Sequence, residues 1–113
     1  DFIGSLDFLD ANVGMQFCGE SEDIYRKVLE NYVRDSYVID LREQFKNEDW
    51  EGYLVTLDSL YSSSESIGAS GLAKIALSME KAVKREDIRF IIKHHKELTE
   101  TYAEILKKLR EIL

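Results

Sequence analysis

The stretch LDSLYSSSESIGASGL, residues 57–72, decides the fold. Apolar or small residues recur in it at spacings of three and four, namely Leu57, Leu60, Ser64 and Ile67. Residues with these spacings share one face of an α-helix, and small Ser64 lets a second helix approach that face closely. The segment Gly68–Gly71 then interrupts the pattern. The stretch therefore predicts a helix, a tight corner and the start of another helix.

The same periodicity continues on the N-terminal side. One long helix is predicted from the N-cap Ser21 to about Phe45, and the helix of the quoted stretch is predicted to begin near Trp50, after Asp49. Before Ser21 the chain is interrupted by glycines, which indicates a short helix or two turns across the end of the larger assembly.

Two more helices are predicted on the C-terminal side. One begins at Ser70, which can act as its N-cap, and the other runs from about Asp87 to the end of the chain. Side chains on the apolar faces are expected to be buried, among them Leu57, Leu60, Ile75, Met79, Ile92 and Tyr102. Asp58 lies off the centre of its face and is expected to be exposed.

Length and composition favour one all-α domain over residues 1–113, an antiparallel four-helix bundle with a short N-terminal helix. The chain has no proline, 44% hydrophobic and 33% charged residues, which suits long helices. Since 22 acidic residues outnumber 15 basic ones, we expect no nucleic-acid partner. No apolar run is long enough for membrane insertion. The lone Cys18 is read as a small buried hydrophobe of a reduced, cytoplasmic protein.

Several short motifs, taken together, resemble the histidine-containing phosphotransfer (HPt) domain family over about Leu9 to Leu106. The segment NVGMQFCGESEDIY is similar to the family's N-terminal lid, and Glu48–Trp50 to its turn before the active helix. Residues 57–72 are similar to its active-site pattern, continued by Leu72, Ala76 and Glu80. The absence of an initiator methionine adds the expectation of a domain cut from a larger signalling protein.

The chain differs from the family at the residues that carry out phosphotransfer. By the resemblance, the phosphoacceptor histidine aligns with Asp58, the supporting lysine with Tyr61 and the next glycine with Ser62. A neutral imidazole is a good nucleophile near neutral pH, and a nearby cation offsets the charge of the transferring phosphoryl group. Both are missing, so we expect no catalytic residue, no enzyme activity and no cofactor.

The remaining acidic residues of α4 and the two histidines have simpler explanations than a functional site. Asp58 is read as part of a solvated acidic face, with imitation of a phosphohistidine as the alternative. Glu51, Asp58 and Glu65 are too far apart along the helix to converge on one metal ion. His95 is expected to pack at the core boundary and His94 to face solvent. As adjacent residues on a helix, they cannot chelate one metal.

The resemblance implies a non-catalytic HPt domain of a two-component phosphorelay that binds a response-regulator receiver or a histidine-kinase domain as a monomer. The implied partner surface comprises Leu54, Asp58, Tyr61, Ser62 and Glu65. Tyr61 either covers the seam between helices or presents its ring to the partner. The alternative function is a structural or dimerisation bundle within a larger sensor protein. Active phosphotransfer through an unusual acceptor is a third reading.

Overall fold

The chain is helical along most of its length in a computed structural model that describes residues 1–113. The helices are α1 (Ala11–Phe17), α2 (Glu22–Arg34), α3 (Val38–Lys46), α4 (Trp50–Ser66), α5 (Ser70–Lys84) and α6 (Ile88–Ile112), preceded by a 3-10 turn at Ile3–Ser5. There is no β-strand. The predicted all-α class is confirmed.

Side-chain capping occurs at four helix starts, one of them at α1, where Asp10 accepts a hydrogen bond from the N–H of Val13 at 3.4 Å. Ser21, Asp49 and Asp87 each accept a hydrogen bond from the backbone N–H three residues further on, at 3.2, 3.0 and 3.1 Å. These bonds satisfy amides that have no partner inside the helix. The prediction for Ser70 was wrong, because Ala69 occupies the N-cap position of α5 without a side-chain bond and Ser70 is the first helical residue.

The predicted single helix from Ser21 to Phe45 was also wrong, since α2 and α3 are separate helices. At the break, the backbone N–H of Tyr37 donates to the hydroxyl oxygen of Tyr102 on α6, at 2.9 Å. The N–H of Val38 donates to the side chain of Ser36 at 3.4 Å. Because these hydroxyl groups replace the helical hydrogen-bond acceptors, the helix can end here without leaving the two backbone amides unpaired.

The helices pack side by side around one core. α4 packs against α1, α3 and α5, while α6 packs against α2, α3 and α5. Tyr32 of α2 bonds to Ser64 near the end of α4, and the ring of Phe45 in α3 lies 6.2 Å from that of Tyr53 near its start. The segment α2–α3 therefore runs antiparallel to α4.

Most of the burial predictions are confirmed. The fully buried side chains among them are Leu57, Leu60, Met79 and Tyr102. Ile75 is only partly buried. The prediction for Ile92 was wrong, because it is 61% exposed while its neighbour Ile91 is fully buried. Consecutive helical residues point about 100° apart, so only one of two adjacent isoleucines can occupy the core position.

The N-terminal segment lies against the corner between α4 and α5. The backbone N–H of Asp10 donates to the carbonyl of Gly68 at 2.8 Å, and the hydroxyl of Tyr25 donates to the carbonyl of Ile67 at 2.6 Å. Gly68 has a φ of +86°, and a Cβ there would collide with the Asp10 carbonyl. The short helix α1 therefore lies at this end of the assembly, as predicted. Cys18, just after α1, is buried, also as predicted.

Candidate functional site

The outer side of α4 carries the predicted partner surface. Asp58, Ser62 and Glu65 are exposed, while Leu54 and Tyr61 are half-buried. Because Leu54, Asp58, Tyr61 and Glu65 follow one another at spacings of four, three and four, the helix aligns them in one strip, with Ser62 beside it. The predicted exposure of Asp58 is confirmed.

Tyr61 lies at the edge of this strip. Its ring is partly buried and packs against the hydrophobic core, in agreement with the reading that it covers the seam between helices. A hydrogen bond to Glu65, one turn further along α4, is the main reason that the pKa of Tyr61 is raised. No cation therefore occupies the position of the family's lysine, and its place is taken by an aromatic ring linked to a carboxylate.

Glu80 of α5 also belongs to the site, although sequence reasoning noted it only as a match to the family pattern. It is 5% exposed, and its carboxyl lies beside that of Asp58. Burial first, and then the negative charge of Asp58, raise the pKa of Glu80, while Lys84 opposes the shift. A local signal was present, because Glu80 follows the buried Ala73 and Ala76 at spacings of seven and four, which places a carboxyl on an apolar face.

Val55 is a second residue that the sequence reasoning missed. Its side chain is 65% exposed, and it lies one turn before Asp58 on the outer side of α4. Tyr53, Thr56 and Leu57 lie on the buried face of α4, and the helical period places Val55 on the opposite side. Counting residues off the apolar stripe would have found it.

His95 is packed at the core boundary, as predicted. Its ring stacks on Phe45 with centroids 3.7 Å apart, and its Nδ1 lies 2.7 Å from the hydroxyl of the buried Tyr53. Burial and the positive charge of Arg42 lower the pKa of His95. The imidazole is therefore held by aromatic neighbours and already has a hydrogen-bond partner.

His94 is less exposed than predicted. Its side chain keeps 30% of its accessible surface, and its ring centroid lies 4.2 Å from that of Phe90. Its Nδ1 is 3.9 Å from a carboxylate oxygen of Glu97, one turn further along α6. The prediction that His94 faces solvent was thus only partly right, because the preceding turn of α6 supplies an aromatic ring that covers it.

The serines of α4 contribute few free donors to the surface. The hydroxyl of Ser63 donates to the carbonyl of Leu60 at 3.3 Å, and that of Ser66 to the carbonyl of Ser62 at 2.8 Å. Serine hydroxyls commonly bond back to the helix in this way. The outer face of α4 therefore offers mainly carboxylates and apolar side chains to a partner.

The described residues include no cluster suited to metal binding and no membrane-spanning helix. No group of three or more His, Cys, Asp or Glu side chains could hold a metal ion. None of the helices is both long and apolar enough to cross a membrane. No protein-family model matches the chain, and no curated protein or solved structure is significantly similar to it.

Proposed function

We propose that this chain is a non-catalytic HPt-like domain, which binds a receiver or histidine-kinase domain of a two-component phosphorelay without accepting a phosphoryl group. The observation that carries the proposal is the position of Asp58. It is exposed on α4, while its neighbours Leu57 and Leu60 are buried and the corner at Gly68 is closed by the N-terminal segment. The residue aligned with the family's acceptor thus lies where a partner could reach it.

The proposed architecture is an HPt-like antiparallel four-helix bundle with the short helix α1 across one end. In this bundle, α2 and α3 together form one of the four helical elements, and α4, α5 and α6 form the other three. Two features support this arrangement. α2–α3 runs antiparallel to α4, and α5 packs against both of its neighbours along the chain, α4 and α6, to which it is joined by short connections.

The proposed loss of phosphotransfer follows from the groups around Asp58. The nearest titratable neighbour identified on α5 is the acid Glu80, and Tyr61 is linked to the acid Glu65. Added negative charge opposes the approach of a phosphoryl group, whose transfer needs nearby cations. The two histidines lie on α6 and are engaged with other side chains.

Binding to isolated receiver and kinase domains tests the proposal. Isothermal titration calorimetry with the intact chain should detect a complex, and Val55→Asp should weaken it by roughly tenfold, because it puts a charge at the centre of a dehydrated contact. Ile92→Asp is the matched control. Ile92 is exposed to a similar extent, 61% against 65% for Val55, but lies on α6.

Two results would count against receiver or kinase binding on α4. One is a complex that Val55→Asp leaves unchanged while Ile92→Asp breaks it. The other is the absence of any complex together with self-association of the chain, which would favour the structural or dimerisation bundle. The exposed apolar side chains argue for a monomer, because Phe17, Ile24, Ile39, Val55 and Ile92 each lie on a different helix.

A further inference from the structure

A cavity of about 320 Å³ lies between α2 and α4. Its apolar floor contains the buried side chains of Tyr32, Ile67 and Tyr102, and Val28 of α2 adds a half-buried apolar wall. The cavity opens to solvent past Asn31, which is exposed. It exists because α2 packs mainly against α1 and α6 and leaves a gap along this part of α4.

The volume of the cavity limits the size of the molecule that fits. An engineered cavity of roughly 150 Å³ holds benzene, and ligand sites in proteins begin at roughly 300 Å³. The cavity between α2 and α4 is about twice the first volume and just within the second range. Its floor includes the rings of Tyr32 and Tyr102, and aromatic rings pack well against the faces and edges of others. The cavity therefore suits a flat molecule of two fused rings.

The polar groups beside the floor are mainly hydrogen-bond acceptors. The hydroxyls of Ser63 and Ser66 donate to backbone carbonyls of α4, so lone pairs of both oxygens stay available. Asp35 adds a carboxylate, which accepts two bonds from Arg34 and has further lone pairs. A molecule in the cavity therefore gains most from an N–H or O–H donor at its edge.

From these features we propose that the cavity binds a planar bicyclic aromatic molecule with one N–H or O–H donor, of which indole is the simplest. The rings would pack on Tyr32, Ile67 and Tyr102, and the donor would bond to the hydroxyl oxygen of Ser63 or Ser66. No covalent bond is made or broken. The inference goes beyond the proposed function, because no residue of the proposed partner surface on α4 lines this cavity.

The identity of the residue at position 63 favours a binding role over a purely structural one. Ser63 is half-buried and lines the cavity together with Val28 of the other helix. A leucine at this position would bury more apolar surface and pack the gap between the helices more densely. The serine therefore keeps the cavity open at the expense of packing, as binding sites commonly do.

A titration with three ring compounds tests the proposal. The isotope-labelled chain is titrated with indole while its amide resonances are followed by NMR. We expect saturable shifts at the cavity residues, with a dissociation constant on the order of 1 mM, which is typical of so small a ligand. 1-Methylindole keeps both rings but lacks the donor, and phenol has a donor on a single ring. Each should bind roughly fivefold more weakly, because the first loses a hydrogen bond and the second buries less apolar surface.

Variants that fill the cavity assign the binding to it. Ser63→Leu should weaken indole binding by at least about tenfold, because its side chain occupies the ligand's volume, while the free energy of unfolding stays equal or rises. Ser62→Leu is the matched control and should change binding by less than about twofold, because Ser62 is adjacent but exposed and does not line the cavity. Val28→Phe fills the cavity from α2 and keeps the test valid if Ser63→Leu disturbs the fold.

Three results would overturn the inference. The first is the absence of saturable shifts at the cavity residues with indole. The second is indole binding that survives unchanged in a folded Ser63→Leu or Val28→Phe variant. The third is equal affinity for indole, 1-methylindole and phenol, which would leave no role for the donor or the second ring. Val55→Asp should leave indole binding unchanged, so this proposal and the phosphorelay role can fail separately.

Discussion

The hydroxyl of Tyr32 lies 2.8 Å from the hydroxyl of Ser64, and both side chains are buried between α2 and α4. The Tyr32 ring also meets that of Tyr102 edge to face, with centroids 5.9 Å apart. A tyrosine hydroxyl that loses its water on burial needs a partner, and the small serine supplies one while letting the two helices approach. This pair ties the end of α2 to the end of α4.

Removing either member of this pair should destabilise the fold. Tyr32→Phe and Ser64→Ala should each lower the free energy of unfolding by about 1 kcal/mol. Each variant removes one of the two hydroxyls and leaves the other buried without its hydrogen-bond partner. The double variant should lose less than the sum of the two, since the second change removes a group that has already lost its bond. Urea denaturation of all four proteins measures this, and strict additivity would show that the two hydroxyls do not interact.

Stability should fall as the pH drops below about 6.5, in part because of His95. Burial and Arg42 lower the pKa of His95 from its ordinary value of 6.5. Below 6.5 the unfolded chain therefore binds a proton that the folded chain resists, so acid favours unfolding. The contribution is present above pH 6.5 and is lost progressively as the pH falls towards and through the folded-state pKa.

Urea unfolding of wild type and His95→Gln, repeated between about pH 8 and about pH 5, measures this contribution. The difference in stability between the two proteins should shrink as the pH falls, because glutamine does not titrate. His94→Gln is the matched control, since it leaves the contact between His95 and Tyr53 intact. An unchanged difference across the whole range would mean that folding does not perturb the His95 proton equilibrium.

Gly68→Ala should destabilise the corner between α4 and α5 by more than about 2 kcal/mol. The positive φ of 86° is unfavourable for alanine, and its methyl group would collide with the Asp10 carbonyl. Gly71→Ala is the control, because its methyl group would meet open space inside the first turn of α5. That variant should be neutral or more stable by up to about 1 kcal/mol. Thermal unfolding followed by circular dichroism compares the two, and equal effects would contradict the packing at this corner.

The intact chain should take up no acid-labile, base-stable phosphoryl label from a phosphorylated receiver or an active kinase core. Position 58 has no imidazole, and the side chains next to it are acids and a tyrosine. Radiolabel retained after gel electrophoresis measures the transfer. Label on His94 or His95 would contradict the prediction directly.

Restoring the family residues should restore transfer in steps. Asp58→His alone should give at most slow transfer, since Tyr61 crowds the approach and supplies no positive charge. Adding Tyr61→Lys and Ser62→Gly should raise the rate, although a glycine within α4 costs about 1 kcal/mol of stability. A folded, monomeric triple variant that stayed inert towards several receivers would indicate that the docking surface itself has diverged, which favours the structural-bundle alternative.

The sequence by itself determined the helical class, three helix starts and the core face of α4. Each depends on residues within about one turn of each other, so the spacing of apolar side chains and the caps at Ser21, Asp49 and Asp87 were sufficient to predict them. The exposure of Asp58 followed from the same local period. The alignment of Asp58 with the family's phosphoacceptor position comes from the family resemblance and stays a prediction.

Only the tertiary structure decided the remaining features. The break between α2 and α3 depends on the Tyr102 hydroxyl, which reaches the Tyr37 amide from 65 residues away along the chain. The pairing of Asp58 with Glu80 depends on how α4 and α5 are rotated against each other, and so on every contact between the two helices. The local spacing of apolar residues does not identify such partners. They are selected by the burial of apolar surface between segments that are far apart in the sequence.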